Sequence, residues 1–261
     1  MTWLGQHRVE IVECGSTNDE AARLARAGAS HGTVVIAQSQ RAGRGREGRA
    51  WQSPPGLGLY LSAVVRPPLP LALVPPMTLA IGVGLCDAAR TFGAPATLKW
   101  PNDLLVGDRK LAGVLVEAQS QGTRLEAVIV GIGVNLGGEL PDEVAATAIT
   151  LAEAAATTID RGGFVDRLLA SVAHWIDRYA ASGLPAVIPA WTERMALGLV
   201  ARATVDGAPL EGELAGLDGD GALLVRDGDG DLHRVRSGDV ELVRRSARAR
   251  TGRIDVLRPE A

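Results

Sequence analysis

The sequence predicts a mixed domain of helices and strands up to about residue 197, followed by a small β-barrel. Two observations predict this. Up to Met195, β-rich runs are interspersed with stretches of helical spacing. From Leu199 to Val243 the pattern becomes five short β-like runs divided by Asp206-Gly207, Asp218-Gly219-Asp220-Gly221, Asp227-Gly228-Asp229-Gly230 and Ser237-Gly238. The length of 261 residues and a hydrophobic share of 46% allow a medium domain plus a small one, with a substantial core. The boundaries are read as 1–197 and 198–246, with 247–261 as a disordered, polar, arginine-rich tail.

Val9 to Glu13 is the first β-like run. Ser16-Thr17-Asn18-Asp19-Glu20 reads as a helix start, because Thr17 and Glu20 have capping-box spacing and Ala21 to Ala27 favours helix. Thr33 to Ser39 reads as a strand that delivers Gln40 into a loop, and Leu59 to Val65 reads as a second strand. No charge falls between Arg66 and Asp87. Pro67, Pro68, Pro70, Pro75 and Pro76 delay any helix there until Pro75 or Pro76, where proline suits a first turn. Met77, Ile81, Leu85, Ala88/Ala89 and Phe92 then recur at helical spacing. A core helix of about four turns is expected, too short for a bilayer. Short β-like runs follow at Thr97 to Trp100, Leu104 to Val106, Lys110 to Glu117 and Leu125 to Val134, with Gly107-Asp108 as a hairpin turn. Helices are expected at Thr150 to Ala156, Gly163 to Ala181 and Pro185 to Met195. The later Asp/Gly runs lack the bidentate glutamate of an EF-hand and read as turns.

Composition excludes several classes. Lysine plus arginine number 27 against 30 acidic residues, a net charge of -3, which argues against a general nucleic-acid binder. Cys14 and Cys86 suggest no disulfide framework, and His7, His31, His174 and His233 have no ligand spacing. The stretch Met1 to Arg8 lacks the apolar segment of a secretory signal, so a reduced, cytoplasmic setting is expected.

Four segments carry chemistry. In Gly43-Arg44-Gly45-Arg46-Glu47-Gly48-Arg49-Ala50-Trp51, glycines let the backbone bend close to a ligand, and arginines offer planar forks to carboxylate or phosphate. Such a loop is expected to be mobile when empty and ordered by an anion, with Trp51 able to cover a flat group. Lys99-Trp100-Pro101-Asn102-Asp103 is a rigid turn bearing an amide and a carboxylate, and Lys110-Leu111-Ala112-Gly113 returns a lysine beside it. Gly131-Ile132-Gly133-Val134-Asn135 ends an apolar strand with two glycines that permit close approach. Ser16-Thr17-Asn18 could grip a polar heterocycle. Taken singly, each also reads as a solvated turn, a strand-end lysine, a packing glycine pair or a helix cap.

In this order and spacing, the four segments with Gln40 resemble the biotin protein ligase family. The resemblance covers about residues 8 to 195, and the C-terminal runs match the family's SH3-like domain. It implies an α+β fold: a mixed-sheet catalytic domain related to class II aminoacyl-tRNA synthetases and lipoate ligases, then the small barrel. It implies ATP-dependent attachment of biotin to a lysine of a biotin carboxyl carrier protein or domain through biotinyl-5′-adenylate. Lys110 and Arg46 would be catalytic. Ser16, Thr17, Asn18, Gln40, Arg44, Gly45, Arg46, Lys110 and Gly113 would hold biotin. Arg46, Arg49, Trp51, Asn102, Asp103, Lys110 and Asn135 would hold ATP, with Asp103 and Asn135 meeting Mg²⁺ through the phosphates. Glu47 departs from the family, which often has a basic or neutral residue there. The partner would be the carrier domain of an acyl-CoA or pyruvate carboxylase, and the enzyme a monomer or weak homodimer. Some members carry an N-terminal winged helix of about 60 residues. Here only about eight residues precede the first β-like run, so no DNA partner is expected, and the short core helix makes a membrane partner unexpected too.

Overall fold

In a computed structural model of the chain, the described residues are 2–196, 199–205, 208–236, 238 and 240–244. The expected boundary at 197/198 and the expected tail at 247–261 lie outside them.

The first strand, β1 (Arg8–Cys14), is followed by helix α1 (Thr17–Arg26), strand β2 (Val34–Gln40) and strand β3 (Gly58–Val65). Then come the core helix α2 (Met77–Thr91) and four strands: β4 (Thr97–Lys99), β5 (Asp103–Val106), β6 (Arg109–Gln121) and β7 (Arg124–Asn135). They form one seven-stranded sheet in the order β1-β2-β3-β7-β6-β5-β4. The β1–β2 pair is parallel and the rest antiparallel, so the sheet is mixed. Every residue of β3 is buried, because both faces are covered. On one face, Ala21, Ala22 and Ala25 of α1 pack on Val35, Val64, Ala127 and Ile129. On the other, α2 and α5 (Arg161–Ser182) pack over Leu59, Leu61, Val130 and Ile132. A central strand buried on both sides reads as a continuous apolar run, which is why Val128-Ile129-Val130 shows no alternation.

The uncharged stretch holds the expected core helix, but with the 3-10 turn Leu71–Leu73 before it the helical span is longer than read, and the expectation that it is too short for a bilayer is corrected. By length and composition alone, Leu71–Thr91 could cross a membrane. Here Met77, Ile81, Leu85 and Ala88 are buried in the protein core.

Three element readings need correction. The capping box at Thr17 and Glu20 does not form: Ser16 is the N-cap, without a side-chain cap bond, and the Thr17 hydroxyl turns to the floor of the sheet, 2.7 Å from Ser62 Oγ and 3.0 Å from Gln40 Oε1. Strand β6 continues past Glu117 to Gln121, because pairing with β7 extends it through polar residues that carry no apolar signal. The helix expected from Pro185 splits into a short 3-10 turn, Leu184–Ala186, and α6 (Ile188–Arg194), with Pro189 in the first turn of α6. Two short helices, α3 (Asp142–Ala145) and α4 (Leu151–Ala155), precede α5; α3 had no counterpart in the sequence reading.

The C-terminal strands β8 (Leu199–Val205), β9 (Ala208–Leu217), β10 (Leu223–Arg226), β11 (Leu232–Val235) and β12 (Glu241–Arg244) form a five-stranded antiparallel sheet, order β11-β10-β9-β8-β12. The Asp/Gly runs between β9 and β11 are turns. Asp218 accepts from the Gly219 amide at 2.6 Å, and Asp227 accepts from the Asp229 and Asp231 amides at 3.0 and 2.9 Å. The small sheet shares its core with the larger unit: Leu217, Leu223 and Val225 belong to the same buried cluster as Leu79 and Trp191. The Trp100 indole N–H donates to Gly221 O across this boundary at 3.0 Å.

Candidate active site

One cleft gathers nearly all the expected site residues. It lies between the start of α1, the Gly43 to Trp51 loop, the middle of β3 and β7, the Trp100 to Asp103 turn and the start of β6. Ser16, Thr17, Asn18, Gln40, Arg44, Gly45, Arg46, Arg49, Trp51, Asn102, Asp103, Lys110 and Gly113 all line it. Two glycines of β7 make the space. A Cβ on Gly131 would collide with the Asn18 carboxamide, and one on Gly133 would fall 2.6 Å from Trp51 Cε2. Close approach, the reading given to this Gly-x-Gly pair, is what both positions require.

The floor is a chain of polar contacts. Gln40 Oε1 accepts from the Thr17 amide at 2.7 Å and lies 3.0 Å from Thr17 Oγ1. Gln40 Nε2 donates to Ser53 Oγ at 2.9 Å, and Ser53 Oγ donates to Trp51 O at 3.0 Å. Ser62 Oγ lies 2.7 Å from Thr17 Oγ1 and 2.5 Å from Asn18 Oδ1. Asn18 Nδ2 donates to Glu117 Oε2 at 2.5 Å. Tyr60 also lines the cleft. Its hydroxyl donates to Pro54 O at 2.9 Å, and burial pushes its pKa up to about 12, so it anchors the segment after the loop and exchanges no proton at neutral pH.

The loop itself is a small hairpin. Gly45 N donates to Arg49 O at 2.7 Å, Trp51 N donates to Gly43 O at 2.9 Å, and Arg46–Gly48 is a 3-10 turn. Glu47 sits in the left-handed region (φ 57) and lies 3.8 Å from the Arg46 guanidinium. Arg44 makes a bidentate pair with Asp19, both bonds at 2.7 Å, which holds the Asp19 carboxyl below the usual carboxylate range. Arg46 reaches Asn102 Oδ1 at 3.4 Å.

The cationic end is built by the backbone. The β5–β6 register shifts between Leu104 and Leu105, leaving Leu111 as an extra residue. Such a bulge re-aims a side chain. It puts Lys110 on the same side as Gly113, whose Cβ position lies 3.4 Å from Lys110 Nζ. Lys110 N donates to Thr147 O at 2.8 Å, and Lys110 O accepts from Ile149 N at 3.0 Å, so the residue is pinned from a neighbouring segment. Its ammonium lies 2.7 Å from Asp103 Oδ1 and 5.3 Å from the Trp51 ring centroid. Lys99 Nζ lies 4.0 Å from Asp103 Oδ2.

Residues 15–135 match the biotin/lipoate A/B protein ligase family, and residues 202–243 match the biotin protein ligase C-terminal domain. The chain is 35% identical over 245 residues to the bifunctional ligase/repressor BirA of Bacillus subtilis, covering 92% of this chain and 75% of that protein. It is 36% identical over 225 residues to the biotin–[acetyl-CoA-carboxylase] ligase of Paracoccus denitrificans, covering 83% of this chain and 92% of that one. The chain belongs to the biotin protein ligase family. Its fold agrees: the biotin protein ligase of Aquifex aeolicus in complex with biotin and ATP superposes with a TM-score of 0.79 at 29% identity, covering 92% of this chain and 100% of that one.

Within this biotin protein ligase fold, one expected site residue stands apart. Asn135 continues the Gly131, Gly133 face of β7 but is not among the residues lining the cleft; its Nδ2 donates to Lys110 O at 3.3 Å. Here it steadies the Lys110 backbone. Conversely, Lys99, Tyr60, Leu61, Gly131, Gly133 and Val240 line the cleft and were not among the assigned site residues, while Ser62, Ser53 and Glu117 complete the floor. Ser62 had a legible signal, a lone serine inside the apolar run Leu59 to Val65. Val240 had none, because only the docking of the small sheet brings it there.

Proposed function

We propose that this chain joins biotin to a lysine of a biotin carboxyl carrier domain in two steps. The biotin carboxylate attacks the α-phosphate of ATP, giving biotinyl-5′-adenylate and pyrophosphate. The carrier lysine amine then attacks the acyl carbon, and AMP leaves. One observation carries this reading: a single cleft is lined both by a polar floor suited to a small heterocycle and by the cations Lys110, Arg44 and Arg46. A carboxylate and a polyanionic nucleotide repel each other, and fixed cations between them lower that barrier. The ring of biotin fits the floor of Thr17, Asn18 and Gln40, and its carboxylate the Lys110 end.

Mg²⁺ fits the cleft only as a companion of the phosphates. Among the described residues, no group of three His, Cys, Asp or Glu could hold an ion. Asp103 is the carboxylate available, and it already faces Lys110. Bound through the phosphates, the ion would neutralise charge on the leaving pyrophosphate. Asp103 is kept beside the phosphate position by its turn, which is tied to β6 where Asn102 Nδ2 donates to Val114 O at 2.9 Å.

Incubation with biotin, MgATP and a purified carrier domain, read by intact mass, tests the reaction. A gain of one biotin is expected, with none when lipoate replaces it; an unmodified carrier overturns the reading. The chain is further proposed to be cytoplasmic, a monomer or weak homodimer, and not to retain operator DNA. Its net charge of -3 and its two buried free cysteines support this. A gel-shift titration at physiological salt is expected to show no sequence-specific retention.

The Gly43 to Trp51 loop is proposed to close over the adenylate and keep water from a readily hydrolysed mixed anhydride. Ordering each loop residue costs on the order of 1–2 kcal/mol in backbone entropy, which contacts from several arginines to ligand would offset. Trypsin should cut at Arg44, Arg46 or Arg49 quickly without ligand and slowly with biotin and MgATP. Equal rates would rule out the lid. Gly133→Ala tests the seat of Trp51. Overpacking costs about 1–3 kcal/mol, so the KM for ATP should rise about tenfold while the fold persists; an unchanged KM would show that Trp51 does not border the nucleotide.

A further inference from the structure

We infer that Glu117, outside the cleft lining, is a positioning residue that sets the direction of hydrogen bonding along the cleft floor and so makes the floor an acceptor for N–H groups of a cyclic ureide. This rests on the biotin reading above.

The argument is a count of protons. Glu117 Oε2 lies 2.5 Å from the Asn18 amide, and an ionised carboxylate only accepts. Asn18 therefore presents Nδ2 to Glu117 and Oδ1 to Ser62. An amide oxygen also only accepts, so the single Ser62 proton goes to Asn18 Oδ1 at 2.5 Å. The Ser62–Thr17 contact at 2.7 Å must then use the Thr17 proton. No proton remains for the 3.0 Å contact between Thr17 Oγ1 and Gln40 Oε1. Gln40 Oε1 keeps the Thr17 backbone amide as its one donor, at 2.7 Å. Thr17 and Gln40 are thus left with lone pairs and one donor too few. A ligand with ring N–H groups supplies what is missing, and a ligand without them does not.

The opposite arrangement closes the floor. With Asn18 flipped, Nδ2 donates to Ser62, Ser62 to Thr17, and Thr17 to Gln40. Every contact then has its proton, Gln40 Oε1 has both lone pairs filled, and the floor keeps fewer acceptors for a ligand. Only Glu117 forbids that flip, because it would set two acceptors against each other. Arg44 does not depend on Glu117: the guanidinium lies 3.8 Å from Glu117 Oε1 but is held bidentately by Asp19. The Glu117 side chain is 37% exposed, so its truncation removes little core.

The test compares wild type, Glu117→Ala and Glu117→Gln by isothermal titration with biotin and by pyrophosphate-release kinetics. One hydrogen bond lost to a bound ligand corresponds to about a tenfold change. Glu117→Ala should raise the biotin Kd and the biotin KM about tenfold or more, with a smaller change in kcat and in the KM for ATP. Glu117→Gln, whose Oε1 can accept from Asn18 but whose Nε2 can also donate to the flipped amide, should recover only part of the biotin affinity. A merely structural role would lower the melting temperature and affect both substrates alike. Wild-type biotin affinity in Glu117→Ala, or a glutamine variant no better than alanine, would overturn the proposal while leaving biotin activation standing. A wild-type chain that releases no pyrophosphate with biotin would overturn the ligase reading, and this proposal with it.

Discussion

Lys110→Ala should slow adenylate formation by about 10²–10³ while the protein remains folded. Lys110 is the cation that the bulge at Leu111 aims beside Gly113, with its backbone pinned through Thr147, Ile149 and Asn135. A charge so fixed needs no reorganisation when negative charge builds up between carboxylate and α-phosphate. Removing it also leaves Asp103, whose side chain is only 16% exposed, with Lys99 at 4.0 Å as its remaining cation. A stability loss of about 1–3 kcal/mol should accompany the change. Thermal unfolding separates that loss from the rate effect. Arginine should rescue poorly, because its planar fork does not replace a point charge. Biotin-dependent pyrophosphate release at near wild-type rate by folded Lys110→Ala would remove the residue from the mechanism.

Deleting the chain from residue 199 onward should abolish most transfer to the carrier, at least a hundredfold on the scale of a lost preorganised contact. The structure gives this coupling its contacts. The Trp100 indole bonds Gly221 O, and Trp100 stands one residue before the Pro101 to Asp103 turn that faces Lys110. Val240 lines the cleft itself. Asp220, Gly221 and Arg236 line a neighbouring cavity together with Arg46, Trp100 and Pro101. The deletion would bare Leu79, Leu184 and Trp191, which now belong to one core with Leu217 and Leu223. Trp100→Phe is the finer probe, removing one bond and leaving the small sheet in place. It should lower the transfer rate several-fold with little effect on biotin affinity, measured by titration. A soluble truncated chain with full transfer activity would show that the small sheet is dispensable.

The elements differ in how far they were legible. Helix α2 was readable because prolines fixed its start and apolar residues recurred every three or four positions, both signals local to the segment. Strand β6 was readable only as far as Glu117. Beyond it, pairing with β7 overrides a polar sequence. The capping box failed because the Thr17 hydroxyl had a better partner, Ser62, 45 positions away.

The same division runs through the site. The sequence by itself determined the chemistry of the parts: arginines and glycines in one loop, a lysine returning beside an amide and a carboxylate, glycines where ligand or indole must come close. These are properties of residue type and short spacing, and they act within a few bonds. The tertiary structure alone decided which atoms face one another. It set Glu117 against Asn18 across 99 residues, turned Asn135 onto the Lys110 backbone, and brought Val240 to the cleft and Gly221 to the Trp100 indole from the small C-terminal unit. Direction in a hydrogen-bond chain depends on every partner at once, and those partners meet only when strand register and helix packing are complete.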